Sequence, residues 1–292
     1  MFYTIKNDLI TAQINDMGGE LSSLKLNSDG CEYLWQGDPR YWSGRAYNLF
    51  PICGRLTDGK YTYNGETYEM NLHGFARKTV YEVESQSDDR ITFILRSSEA
   101  TKKIYPFDFE LRLTYVLDGT KVVTTFNVKN TGGKELIFAT GGHPGFNVPL
   151  GGEGSFGDYY IEFGEKCQPN KLIFSDTCYY VGVGVKFALE DDRILRLSHG
   201  LFDDDAIFLC NTAKSATLRS TASDKYVKLD FPKMKYVGFW HAPKIEAPHV
   251  CIEPWESMPA DDGVVDDLTT KRDMNKLAAG GVFENGYSIE IG

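Results

Sequence analysis

The chain has 292 residues, 42% of them hydrophobic, 13% aromatic and 25% charged. This is the composition of a chain that buries a core, and it excludes a disordered, collagen-like or small disulfide-scaffold protein. Its 31 basic against 41 acidic residues leave a net charge of −10, which repels a phosphate backbone, so no nucleic acid partner is expected. No basic-then-apolar leader and no run of about 18 apolar residues occurs, so no membrane partner is expected either. Cys31, Cys53, Cys167, Cys178, Cys210 and Cys251 are scattered without CxxC spacing, and there is no Asn-x-Ser/Thr acceptor site. Free thiols and a cytoplasmic location are the expectation.

Period-two alternation dominates from the start of the chain and predicts strands. Ile10, Ala12 and Ile14 alternate with polar neighbours, and Asn64-Gly65 between Tyr61-Thr62-Tyr63 and Thr67-Tyr68 predicts a hairpin. Ile91, Phe93 and Leu95 alternate next. Residues 98–103 can form a turn or two of helix before Tyr105-Pro106. Leu111, Leu113, Tyr115 and Leu117 give the clearest strand, which meets Asp118-Gly119 and a second strand over 122–128. Val227, Leu229 and Phe231 alternate, as do Ile289 and Ile291. Residues 266–277 carry acidic groups early and Lys271, Arg272 and Lys276 late, which predicts a second helix. No linker or repeat divides the chain. The fold class expected is all-β, a large antiparallel β-sandwich with a few short helices, formed by residues 1–292 as a single domain.

Gly152-x-Gly154-x-x-Gly157 matches a dinucleotide fingerprint by letter, but a strand rather than a helix follows it in Tyr159-Tyr160-Ile161, so it is read as a loop. No GxxxxGK[ST], GxSxG or HExxH occurs. Cys53 or Cys251 could pair with a histidine as a nucleophile, although a buried inert cysteine is the commoner case. Two of the five histidines have unusual flanks. His73 lies in Asn71-Leu72-His73-Gly74-Phe75, and His143 in Gly141-Gly142-His143-Pro144-Gly145. Such backbone either presents chemistry or holds a turn through the imidazole. His199, His241 and His249 are read as structural. Glu253, after apolar Val250-Cys251-Ile252 and before Pro254-Trp255, is expected to be desolvated and so a stronger base; a salt-bridged strand-end carboxylate is the alternative. Arg55, in Pro51-Ile52-Cys53-Gly54-Arg55, could fork onto sugar hydroxyls or a carboxylate, or be an exposed structural arginine.

The ordered set of Pro-x-x-Gly-Arg55, His73-Gly-Phe, Gly-Gly-His143-Pro and Ile-Glu253-Pro-Trp resembles the aldose 1-epimerase (galactose mutarotase) family, nearest its LacX-like branch. The resemblance implies a galactose mutarotase-like supersandwich and interconversion of the α and β anomers of a hexose, without metal or organic cofactor. It further implies Glu253 as base, His143 as acid, His73 at the ring oxygen or a neighbouring hydroxyl, and Arg55 on hydroxyls. An imidazolium titrating at its ordinary pKa, about 6.5, would be the acid. A family aspartate that grips hydroxyls falls in Asp203-Asp204-Asp205, with Asp205 the choice. Trp240 or Phe75 could offer a ring face to the sugar, or be core. The partner implied is a small sugar, an aldohexose or its phosphate, bound by a monomer or homodimer. Pro51 to Gly54 separate Asn48 from Arg55, unlike the Asn-Arg turn usual in galactose mutarotases. A hexose-6-phosphate 1-epimerase, with Arg40, Arg45, Arg77 or Lys78 on the phosphate, and a noncatalytic carbohydrate-binding or sensing protein are the alternatives. A glycosidase would need a second well-placed carboxylate beyond Asp203 to Asp205.

Overall fold

Alternating apolar and polar side chains generate the 23 strands of a computed structural model that describes Met1–Gly292. Along Phe109–Asp118 every second side chain is buried, and the strand pairs antiparallel with Lys121–Asn130. Asp118 pairs with Lys121, so the loop is Gly119-Thr120, one residue later than the Asp-Gly reading. Gly119 opens it at φ 60, a conformation glycine adopts without steric cost. The Asn64-Gly65 turn forms as expected, with both residues at positive φ, 52 and 82.

The first helix is Glu99–Lys102, started by a capping box in which the Ser98 and Thr101 side chains each accept the other's backbone N–H. The helix expected over 266–277 does not form. The Asp267 carboxylate accepts the Thr269 amide at 2.8 Å, an Asx turn that competes with helical hydrogen bonding. Lys271 instead pairs with Asp266 at 2.7 Å in a buried contact. The segment ends as a strand, Asn275–Leu277, on Leu136–Phe138.

Two large antiparallel sheets make the sandwich, one of nine strands and one of seven. The nine-stranded sheet centres on Val282–Ile291 and Lys121–Asn130. The seven-stranded sheet holds Tyr236–Trp240, His249–Trp255 and Gly141–Asn147 side by side. Its inward face contributes Phe146, Val237, Phe239, Val250 and Ile252 to a core shared with Leu111, Leu113, Phe126 and Ile289 of the other sheet. Because successive side chains of a strand point to opposite faces, His249, Cys251, Glu253 and Trp255 are left on the outward face. No helix is long and apolar enough to cross a membrane.

Gly142 marks where the sheets come closest. A Cβ there would lie 2.5 Å from the Tyr287 ring of the opposite sheet. Gly142→Ala should therefore cost about 1–3 kcal/mol through overpacking, whereas Gly157→Ala, with open space around it, should cost far less; equal denaturant midpoints for the two variants would contradict this packing.

Candidate active site

Strand register builds the site. Gly141 pairs with Trp255 and Gly145 with Cys251, which sets His143 opposite Glu253 on the outward face. His143 Nε2 stands 3.4 Å from Glu253 Oε2. Both are withdrawn from water, His143 being 7% and Glu253 2% exposed.

His73 comes to this pair from a loop, with its backbone in the left-handed region at φ 62. Its N–H donates to the Gly54 carbonyl at 2.7 Å, and the Gly54 N–H donates back to His73 Nδ1 at 3.1 Å. A ring nitrogen that accepts carries no proton, so the His73 proton sits on Nε2. Burial pushes the His73 pKa well below the ordinary value, and the positive charges of Arg77 and Arg55 push the same way. Its ring stands edge-on to His143, with centroids 5.5 Å apart.

Asp205 is the member of the acidic triplet that turns inward; Asp203 and Asp204 are exposed. Its Oδ1 accepts the Trp240 indole N–H at 2.6 Å and its Oδ2 the Cys178 thiol at 3.0 Å. Trp240 in turn lies edge-on to His143, 5.8 Å away. Arg55 is half-buried near His73, and its Nη1 donates to the Thr177 carbonyl at 3.1 Å. Phe75 does not join the group. Its ring packs with Phe50, Tyr105 and Phe109 at centroid distances of 6.1, 5.9 and 6.0 Å, as part of the core.

Three residues of this neighbourhood escaped the sequence reading. Trp42 lies flat over His143, 4.9 Å away at 25°, and 5.9 Å from His249. Trp35 stacks on His249 at 4.5 Å. Gly145 makes room for this cover, because a Cβ there would come within 2.9 Å of Trp42. The signals were the aromatics Trp35, Tyr41 and Trp42 within one short segment, and the period-two spacing that puts His249 on the same strand face as Glu253. His249 is fully buried with neither ring nitrogen hydrogen-bonded.

Burial decides the charges. Desolvation lowers the His143 pKa to about 3 and raises that of Glu253 well above the usual carboxyl value, with the Asp205 charge adding to the rise. Desolvation of Glu253 matches the sequence expectation, but an imidazolium titrating near the ordinary value does not. Burial thus favours the uncharged form of both members of the pair. One proton shift across it yields carboxylate and imidazolium without exchange with solvent. All six thiols are free.

The family model for aldose 1-epimerase matches residues 1–265. The chain belongs to the aldose 1-epimerase family. The LacX protein of Lactococcus lactis subsp. lactis is 33% identical over 300 residues, covering 100% of this chain and 99% of that one. Among solved structures, a galactose mutarotase related enzyme from Lactobacillus acidophilus superposes with a TM-score of 0.93 at 35% identity, covering 100% of this chain and 97% of its own. A galactose mutarotase-like protein from Lactobacillus casei gives 0.93 at 31%, with full coverage of both. Membership of the aldose 1-epimerase family implies isomerase activity on a sugar.

The His143 ring should remain neutral through pH 5 when its resonances are followed by NMR, because desolvation opposes its charge. A titration midpoint near 6.5 would contradict the buried, neutral pair.

Proposed function

We propose that this protein is an aldose 1-epimerase that interconverts the α and β anomers of a hexose through His143 and Glu253. The observation that carries the reading is the 3.4 Å contact between their side chains, dry and beside His73. Ring opening needs one group to take the C1 hydroxyl proton and another to protonate the ring oxygen. Glu253 is the base and His143 the acid. The proton that Glu253 carries at rest moves to His143 to load the couple. C1–O5 then breaks, the aldehyde turns about C1–C2, and closure on the other face returns both protons. The couple ends as it began, so no outside proton is consumed.

His73 Nε2–H is a fixed donor for the ring oxygen or an adjacent hydroxyl. Asp205 and Arg55 hold hydroxyls at the edge, and Trp240 offers an apolar face next to His143. Hydroxyl recognition alone does not require a dry acid–base pair, which favours an enzyme over a binding or sensing module.

One observation favours a phosphorylated hexose as the substrate. Arg55 and Arg77 both act electrostatically on His73, and neither makes an ion pair within the chain. Arg77 lies over the Tyr47 ring at 4.9 Å, and Tyr47 pairs with His143 across the sheet. Two guanidiniums that both act on His73 and make no ion pair suit a dianion.

Polarimetry of freshly dissolved α-glucose, α-galactose and α-glucose 6-phosphate tests both readings. At least one should equilibrate faster than the solvent rate, and Glu253→Gln and His143→Ala should each lower kcat by about 10²–10⁴-fold. Solvent rates for every sugar, or near wild-type rates in the variants, would refute the assignment. The pH profile carries a sign. Only below about pH 3 does His143 gain a proton on top of the protonated Glu253, so kcat/KM should show no acid limb at 6.5 and should fall only on the alkaline side, as Glu253 ionises. A decline as pH drops through 6.5 would contradict it.

A further inference from the structure

Ring opening makes no use of Cys251, yet its side chain points the same way as those of the pair. It sits two residues before Glu253 on strand His249–Trp255, with Val250 and Ile252 turned to the core instead. It is fully buried. His143, Cys251 and Glu253 each offer one ligand atom, and the three atoms lie within 4.8 Å of one another.

Those separations suit a metal ion. A tetrahedral zinc with Zn–N and Zn–O bonds of about 2.0–2.2 Å places its nitrogen and oxygen ligands about 3.4 Å apart, which is the distance between His143 Nε2 and Glu253 Oε2. The sulfur, which lies within 4.8 Å of both atoms, would move toward them to complete a Zn–S bond of about 2.3 Å. One nitrogen, one sulfur and one oxygen ligand with a fourth position free is the pattern of open zinc sites. Thiolate and imidazole together select zinc over magnesium or calcium.

We propose that His143 Nε2, Cys251 Sγ and the Glu253 carboxylate form a binding site for a thiophilic divalent cation, Zn²⁺ by its ligand set, that cannot be occupied while the pair exchanges protons. Binding takes Cys251 as thiolate and Glu253 as carboxylate, so it releases any protons they carry. The charge of the ion compensates for their desolvation. The site itself stands on geometry alone, whereas its inhibitory consequence rests on the epimerase reading above.

Cobalt(II) is the probe, because a thiolate–cobalt bond absorbs in the near ultraviolet and tetrahedral cobalt absorbs in the visible. Chelator-treated full-length protein titrated with CoCl2 should develop both bands at one equivalent, and ZnCl2 should erase them. Cys251→Ser should lose the ultraviolet band, and His143→Asn should bind cobalt at least tenfold more weakly. Cys210→Ser should behave as wild type. No band at millimolar cobalt, or an unchanged ultraviolet band in Cys251→Ser, overturns the site. Should Cys251→Ser fail to fold, an undiminished titration of His143→Asn overturns it equally. In the same preparations zinc should stop catalysed anomer interconversion and a chelator should restore it. One equivalent of bound cobalt with an unaffected rate would support the cation site and overturn the catalytic roles instead.

Discussion

Water is excluded from around a carboxyl group and an imidazole that face each other at 3.4 Å, and the rest of the site follows from that exclusion. Charging either group alone in such surroundings is costly, so burial favours the neutral form of both, and on the proposed mechanism they share one proton. Moving that proton creates two opposite charges next to each other, which stabilise one another where water cannot. A couple of this kind suits a reaction in which one proton leaves a hydroxyl while another reaches a ring oxygen. Exposure would give each group its ordinary pKa, and at neutral pH the carboxylate would have no proton to pass on.

Keeping the pair dry is the work of the scaffold. The seven-stranded sheet turns Val250 and Ile252 into the sandwich and leaves His249, Cys251 and Glu253 outward, so one strand serves the core and the site together. The outward face is roofed by Trp42 over His143, with Trp240 edge-on and tied to Asp205. Glycine at position 145 leaves space for that roof. The Gly54 N–H, donated to His73 Nδ1, fixes the third imidazole in one tautomer.

Much of this was legible in the sequence, and what was not has identifiable causes. Alternation in 111–117 and the Asn64-Gly65 turn are local signals, and each formed where it was read. The charge pattern over 266–277 suggested a helix, but Asp267 bonded its own backbone and Lys271 found Asp266, contacts that dipole reasoning does not weigh. His143, Glu253 and His73 were singled out through flanking residues that make unusual backbone or desolvate a carboxyl, and Asp205 only through the family resemblance. Phe75 shared such a flank with His73 yet went to the core, two residues further along, where it packs against Phe50, Tyr105 and Phe109. Trp42 and His249 join the site through packing between segments some 200 residues apart in numbering, which no local pattern reports. The depth of burial that brings the His143 pKa to about 3 likewise depends on tertiary cover.

Infrared difference spectroscopy reaches the shared proton most directly. Wild type minus Glu253→Gln, recorded at neutral pH without sugar, should contain the C=O stretch of one protonated carboxylic acid, shifted by transfer to D2O. A difference spectrum with only ionised carboxylate bands would mean that Glu253 holds no proton at rest, and the dry neutral pair would have to be abandoned.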